Sequence, residues 1–290
     1  VAMTTDILGG LAWDQGDYER AATLHAAAAA AFATIGDQIH EAQSLNNLGS
    51  AYWELGRYAD ARTTHERSIL VCRELGNRLS EGDNIDNLGG VAWSLGDYNL
   101  AIRQYRAALD LRESINDLWG VSISLSNLAS AYRLQGNYEQ ALDYSRRALP
   151  LYDQVGRKRG KAYVVEGEGL TLLGLGRVDE AWARLQEALA LRTEIGDRTH
   201  LVEIHAAMIH AALARHDLPA ANHYGAALLA LLTLADRASL RQQGYYAAFC
   251  RAEATGEAQA VRFLALALQA QDEMAAMLPP NDRTRFLRNV

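Results

Sequence analysis

Leu45, Leu48, Tyr52 and Leu55 recur at steps of three and four residues, the spacing that puts side chains on one face of a helix. Gly56 follows, where only glycine takes up a left-handed turn at little cost. A second helix is predicted from about Tyr58, with Ala61 placed for close contact, through Ile69 and Leu70 to a stop near Leu75-Gly76-Asn77. The turn phrase returns every forty residues: Gly16-Asp17-Tyr18, Gly56-Arg57-Tyr58, Gly96-Asp97-Tyr98, Gly136-Asn137-Tyr138 and, more weakly, Gly176-Arg177-Val178, with Gly256 on the same lattice. His216-Asp217-Leu218 fills the remaining place. The second stop returns as Ile35-Gly36-Asp37, Val155-Gly156-Arg157 and Ile195-Gly196-Asp197. A fixed period of this length marks a stack of one supersecondary unit, here a hairpin of two antiparallel helices. The lattice predicts an all-α single array over 1–278, with repeats near 1–37, 38–77, 78–117, 118–157, 158–197, 198–237 and 238–278. A closing segment, 279–290, follows, with a short helix expected over its last residues.

Gly9, Gly49, Gly89 and Gly169 share one place inside the first helix of their repeats. Glycine within a helix costs roughly 0.5–1 kcal/mol relative to alanine, so its recurrence predicts a neighbouring helix packed against bare backbone. Ala21, Ala61, Ala101, Ala141, Ala181 and Ala221 share a second register that fits the same close packing.

Composition narrows the functional classes. The 290 residues are 49% apolar with four prolines, which favours a packed helical protein. A net charge of −7 argues against direct nucleic-acid binding or attraction to an anionic membrane. Cys72 and Cys250 stand far apart, so no disulfide framework is expected and a reducing cytoplasm fits. Val1-Ala2-Met3-Thr4-Thr5-Asp6 lacks the pattern of a signal peptide, and the run from Ala226 to Ala235 is too short to span a bilayer. The chain opens within a repeat and without an initiator Met, so an upstream segment is expected.

No phosphate-cradling glycine loop, H-E-x-x-H, C-x-x-C pair or nucleophile elbow is present, and Gly167-Glu168-Gly169 falls within a helical register. His200, His205, His210, His216 and His223 are concentrated late in the chain, but five-residue steps turn successive ligands about 140° apart on a helix. No metal, cofactor or catalytic residue is expected.

Leu48-Gly49-x-Ala51-Tyr52-x3-Gly56-x-Tyr58-x2-Ala61 resembles the tetratricopeptide repeat signature. So do Leu88-Gly89-x2-Ala92-x3-Gly96-x-Tyr98-x2-Ala101-Ile102-x2-Tyr105-x2-Ala108-Leu109 and Leu128-x2-Ala131-Tyr132-x3-Gly136-x-Tyr138-x2-Ala141-Leu142-x2-Ser145-x2-Ala148-Leu149. In the last, Ser145 stands where Tyr105 supplies an aromatic ring, with Tyr144 beside it as a candidate replacement. The usual repeat is about 34 residues long; here the additional residues fall between Ile69 and about Ser80, and glycine followed by Asp, Asn or Arg replaces the closing proline. Such long repeats are similar to those of kinesin light chains, of peptide-sensing bacterial response-regulator phosphatases and of the sensor ends of bacterial signalling ATPases.

The resemblance implies a right-handed superhelical solenoid of about seven helix pairs whose first helices line the concave side. Carried onto this chain, the inward places hold Asp6, Gly10 and Trp13; Gln43, Asn46, Ser50 and Trp53; Asp83, Asp86, Gly90 and Trp93; Ile123, Ser126, Ser130 and Arg133; and Tyr163, Glu166, Leu170 and Leu173. Asn47, Asn87 and Asn127 fill a neighbouring place that relatives use to bond a peptide backbone. Two readings stand for Trp13, Trp53 and Trp93: a row of indoles for an extended peptide or partner helix, or seals at helix junctions. The asparagines divide likewise between ligand contact and ties between helices. Asp83, Asp86, Glu166 and Glu203, facing chiefly Arg133, favour a basic or polar partner, and the carboxylate clamp of chaperone-binding relatives is not in place. The apolar C-terminal repeats are a candidate homodimer surface. The expected function is protein or peptide recognition by the sensor or scaffold part of a bacterial signalling or transcription-regulatory protein; the alternative is a constitutive assembly scaffold.

Overall fold

A computed structural model describes residues 1–197, 200–232, 238–276, 278 and 283. Among them the chain forms fourteen α-helices and no strands. Three hairpins lead: α1 (Ala2–Asp14) with α2 (Tyr18–Ile35), α3 (Gln38–Glu54) with α4 (Tyr58–Leu75), and α5 (Arg78–Ser94) with α6 (Tyr98–Ser114). Then come α7 (Leu118–Leu134), α8 (Tyr138–Gln154), α9 (Lys158–Gly174), α10 (Val178–Glu194), α11 (Leu201–Ala214), α12 (Leu218–Leu232), α13 (Ala238–Thr255) and α14 (Ala260–Ala276). The chain divides into two compact units, Val1–Ala131 and Tyr132–Pro279, and the division falls inside α7. Apart from Arg283, the expected closing helix lies outside the described residues, as do Thr233, Leu234 and Ala235 of the apolar run.

The turns explain the repeated phrase. Gly16, Gly36, Gly56, Gly76, Gly96, Gly136, Gly156, Gly176, Gly196 and Gly256 all have positive φ, so a left-handed residue ends nearly every helix at steps of twenty residues. Asn116, at φ 57°, and His216, at φ 58°, hold the same conformation where the lattice lacks glycine. Sequence reading places His216 in this series but passes over Asn116, although asparagine tolerates the left-handed region. The residue after the glycine then works twice. Its N–H closes the preceding helix, as Asp97 does on the Ala92 carbonyl at 2.9 Å, and its side chain caps the next, accepting from the Leu100 N–H at 3.1 Å. Asp17, Asp37, Asn77, Asp117 and Asp217 cap in the same way.

Inside each hairpin, residue sizes are matched across the helix pair. A methyl group added at Gly49 would lie 2.6 Å from the His65 ring, and Gly9, Gly89 and Gly169 are occupied in the same way by His25, Tyr105 and Leu185. The bare backbone therefore receives one large side chain from the second helix. In the fourth repeat the place of the glycine holds buried Ala129, and small, buried Ser145 holds the place of the large partner. Tyr144 does not substitute for it; its ring stacks on Tyr132 at 5.4 Å. Ala21, Ala61, Ala101, Ala141, Ala181 and Ala221 are all fully buried.

Among the described residues, no helix is long and apolar enough to cross a membrane. Cys72 is buried and Cys250 half-buried, both as free thiols. Three of the late histidines have local company: His200 bonds the Asp197 carboxylate, His205 the Leu201 carbonyl, and His210 lies beside the Tyr246 ring.

Candidate interaction face

Within the first compact unit the first helices of successive hairpins lie side by side, so residues about forty apart become neighbours. Hydrogen bonds across these junctions show what the inward places do. Ser44 donates to the Asp6 carboxylate at 2.8 Å, Asn87 Nδ2 to Asn46 Oδ1 at 2.9 Å, and Ser124 to Asp86 at 2.9 Å. Asp6, Asn46 and Asp86 share one place on the lattice, and in these three repeats it accepts from the hairpin that follows. The Asn127 carboxamide stands beside Asp86 and favours its charged form. Of the two readings left open for the asparagines, ties between helices is what Asn87 makes; Asn47 is half-buried in the neighbouring place.

The tryptophans behave unequally. Trp13 is half-buried, edge-on to Tyr18 with centroids 5.1 Å apart. Trp53 lies over Gly90 of the next hairpin, where an added methyl would come within 3.2 Å of the indole, and its Nε1 donates to Ser94 at 2.8 Å. Both act as junction seals. Trp93 is 37% exposed.

The expected carboxylate-lined groove needs correction. Asp86 and Glu166 are buried, and their cations come from second helices rather than from Arg133. Arg112 on α6, itself buried, reaches Asp83 at 2.7 Å, Asp86 at 3.0 Å and Asp117 at 3.5 Å. Arg192 on α10 bonds Glu166 at 2.5 Å and Asp197 at 2.9 Å. Burial pushes the Asp86 carboxyl up to about 7 against the opposing pull of Arg112 and Ser124. Burial raises Glu166 too, again against its arginine. Neither carboxylate is presented to a ligand. Ser126 is also buried, its hydroxyl turned back to the Ser122 carbonyl at 2.7 Å.

Exposed side chains at the inward places are therefore fewer than the lattice suggests. In the first compact unit they are Gln43, Asp83 and Trp93, with Ser50 and Ser130 half-buried; Ser50 bonds the Asn46 carbonyl at 3.1 Å. In the second unit Tyr163 is exposed and Arg133 half-buried, with no hydrogen bond at its Nε. Sequence reasoning missed Arg112 and Arg192 because the register of first helices carries no information on second-helix partners. Gly120 and Gly160 were the available signal: a side chain at either would overlap Arg112 or Tyr152, two large residues at equivalent places.

Known proteins agree with this architecture. Apo RapI aligns with a TM-score of 0.77 at 11% identity, over 95% of this chain and 99% of that one. The Rap conjugation gene regulator of the plasmid pLS20, in complex with the Phr* peptide, gives 0.72 at 16% identity, over 94% and 74%. A Signal Transduction ATPase with Numerous Domains from Pyrococcus horikoshii, with a tetratricopeptide repeat sensor, gives 0.69 at 15% identity; 95% of this chain matches 42% of that one. At such identities the likeness is one of fold. No curated protein sequence matches the chain. The tetratricopeptide repeat family itself matches residues 1–74 and 78–154, more than half of the sequence and the same hairpins whose turns and junctions are described above, and the chain belongs to that family.

Proposed function

We propose that this chain is a recognition module that captures a polar or basic peptide segment along its first helices, as the sensor or scaffold part of a bacterial cytoplasmic regulator. The observation that carries this reading is the exposure of Gln43, Asp83 and Trp93, an amide, a carboxylate and an indole, along one helix row braced by buried ties. Asp83 keeps its carboxylate accessible while bonded to Arg112, so a cationic side chain of the partner meets a fixed acceptor. Trp93 supplies the apolar anchor that such interfaces need near their centre. The likeness to a Rap regulator in complex with a peptide supports the same use of the fold. The reading is non-enzymatic.

The test is a phage-displayed peptide selection on the immobilised chain, followed by calorimetric titration of the selected peptides. Gln43→Ala with Trp93→Ala should weaken binding by about tenfold or more while leaving helicity and melting unchanged. Selected peptides that bind this double variant as tightly as the parent would rule out the first-helix row.

A further inference from the structure

Between α5, α6 and the start of α7 one guanidinium answers three carboxylates. Arg112 Nη2 stands 2.7 Å from Asp83 Oδ1 and 3.0 Å from Asp86 Oδ2, and its Nη1 3.5 Å from Asp117. The carboxylates differ in their access to water: the Asp83 side chain is 56% exposed, that of Asp86 only 6%. Asp86 Oδ2 also accepts from Ser124, but its Oδ1 is buried without a hydrogen bond, as is Arg112 Nε. Within the first compact unit this pairing of an exposed with a buried acid belongs to the third repeat; elsewhere the same two places hold Met3 and Asp6, Gln43 and Asn46, or Ile123 and Ser126.

The acids around this single cation do not hold their charges at equal cost. Asp83 meets water and Asp117 accepts the Gly120 N–H, whereas an ionised Asp86 leaves a bare, desolvated oxygen, so Asp86 is the acid that keeps a proton. Burial pushes its carboxyl up to about 7, and the nearby Asp83 charge adds to the push while Arg112, Ser124 and Asn127 oppose it. The titratable groups that α4 turns toward α5 are engaged otherwise: His65 bonds Asn84, Arg73 bonds Glu81, and burial raises the Cys72 thiol and keeps it neutral. Tyr105 of α6 lies over Gly89, and α3 brings Asn46 to Asn87.

We propose that a cationic side chain captured at Asp83 expels the proton of Asp86 to solvent, so that a basic partner binds more tightly as pH rises through neutrality. This coupling rests on Asp83 as the contact for a basic segment, as proposed above. The partner's cation cancels the Asp83 charge that holds the proton in place and adds its own attraction for an ionised Asp86. Linkage fixes the sign. The bound form carries fewer protons, so affinity is lowest where Asp86 is protonated in both forms and rises with pH by at most about tenfold per unit for one proton. Asp86 thus tunes the contact without touching the partner.

Carboxyl-carbon NMR of the aspartate-labelled chain should show Asp86 titrating close to neutrality. Asp83→Lys, which fixes a cation at the contact without any ligand, should lower that midpoint by about one pH unit or more. A basic peptide selected on the chain should bind about threefold or more tighter at about pH 8 than at about pH 6. Asp86→Asn, the uncharged analogue, should bind it at both pH values with the parent's acidic-pH affinity. An Asp86 carboxyl already ionised at about pH 5, or a midpoint indifferent to Asp83→Lys, overturns the proposal whatever the peptides do. Equally tight binding at both pH values overturns the coupling and leaves recognition standing. A selection without basic peptides overturns the recognition reading, and the coupling with it.

Discussion

His65 illustrates how a single side chain carries both packing and a proton-dependent cost. Its ring fills the space over Gly49, Nδ1 meets Asn84 Oδ1 at 2.9 Å, and Nε2 is buried without a partner. The Asn84 oxygen only accepts, so the neutral ring keeps its proton on Nδ1, and a second proton on Nε2 would find no acceptor. Burial accordingly holds the His65 pKa below its ordinary 6.5, against the weaker opposing effect of Asn84. Below about pH 6.5 the unfolded chain binds a proton that the native chain refuses, so this contribution to stability, full above that value, is lost as pH falls toward the folded pKa. Urea midpoints should drop between about pH 7.5 and about pH 5.5 more steeply in the parent than in His65→Gln. Parallel profiles would show that the ring titrates alike in both states.

At the scale of helices, the twenty-residue series of left-handed turns is the strongest local signal, and it was legible because glycine reports a backbone requirement directly. The helix pairs, the buried alanine register and the glycine-to-large-residue matching follow from the same pattern. The candidate site was less legible. Asp86 and Glu166 occupy inward places by register, but Arg112 and Arg192 approach them from the second helix of the same hairpin, and register alone does not show which polar groups face each other. Trp53 and Asn87 were readable as ligand contacts or as ties, and only the atoms opposite them, Ser94 and Asn46, decide between the two. His216 offers a test at this scale. It holds φ 58° between α11 and α12, where a side chain costs roughly 1–2 kcal/mol that glycine avoids. His216→Gly should therefore stabilise the chain by about 1 kcal/mol in urea unfolding, and Asn116→Gly by less, since asparagine tolerates this region. A loss of stability in His216→Gly would assign the histidine a contact that outweighs its backbone strain.

For the molecule as a whole, the substantial helix contacts among the described residues join helices one or two apart in the chain, so a disturbance there spreads through neighbours. Arg112 is the severest test of that rule, because its removal leaves buried Asp86 without its cation and exposes the Asp83 and Asp117 carboxylates to each other. Breaking such a buried pair costs about 3–5 kcal/mol. Arg112→Ala should speed amide hydrogen exchange in α5, α6 and the start of α7 while α11 to α14 keep their protection. A uniform loss of protection along the chain would mean that the two compact units unfold as a single cooperative body.

The regular beat of left-handed residues carries a consequence for how such a gene changes length. A gain or loss of forty codons, begun at a turn residue, rejoins one left-handed turn to another and restores the helix ending. A shift by any other amount rotates every later helix out of phase with its neighbour. Recombination between repeats is thus the tolerated route to a longer or shorter protein, and the junctions that resist it are those holding Arg112 and Arg192, whose acidic partners must be inherited with them.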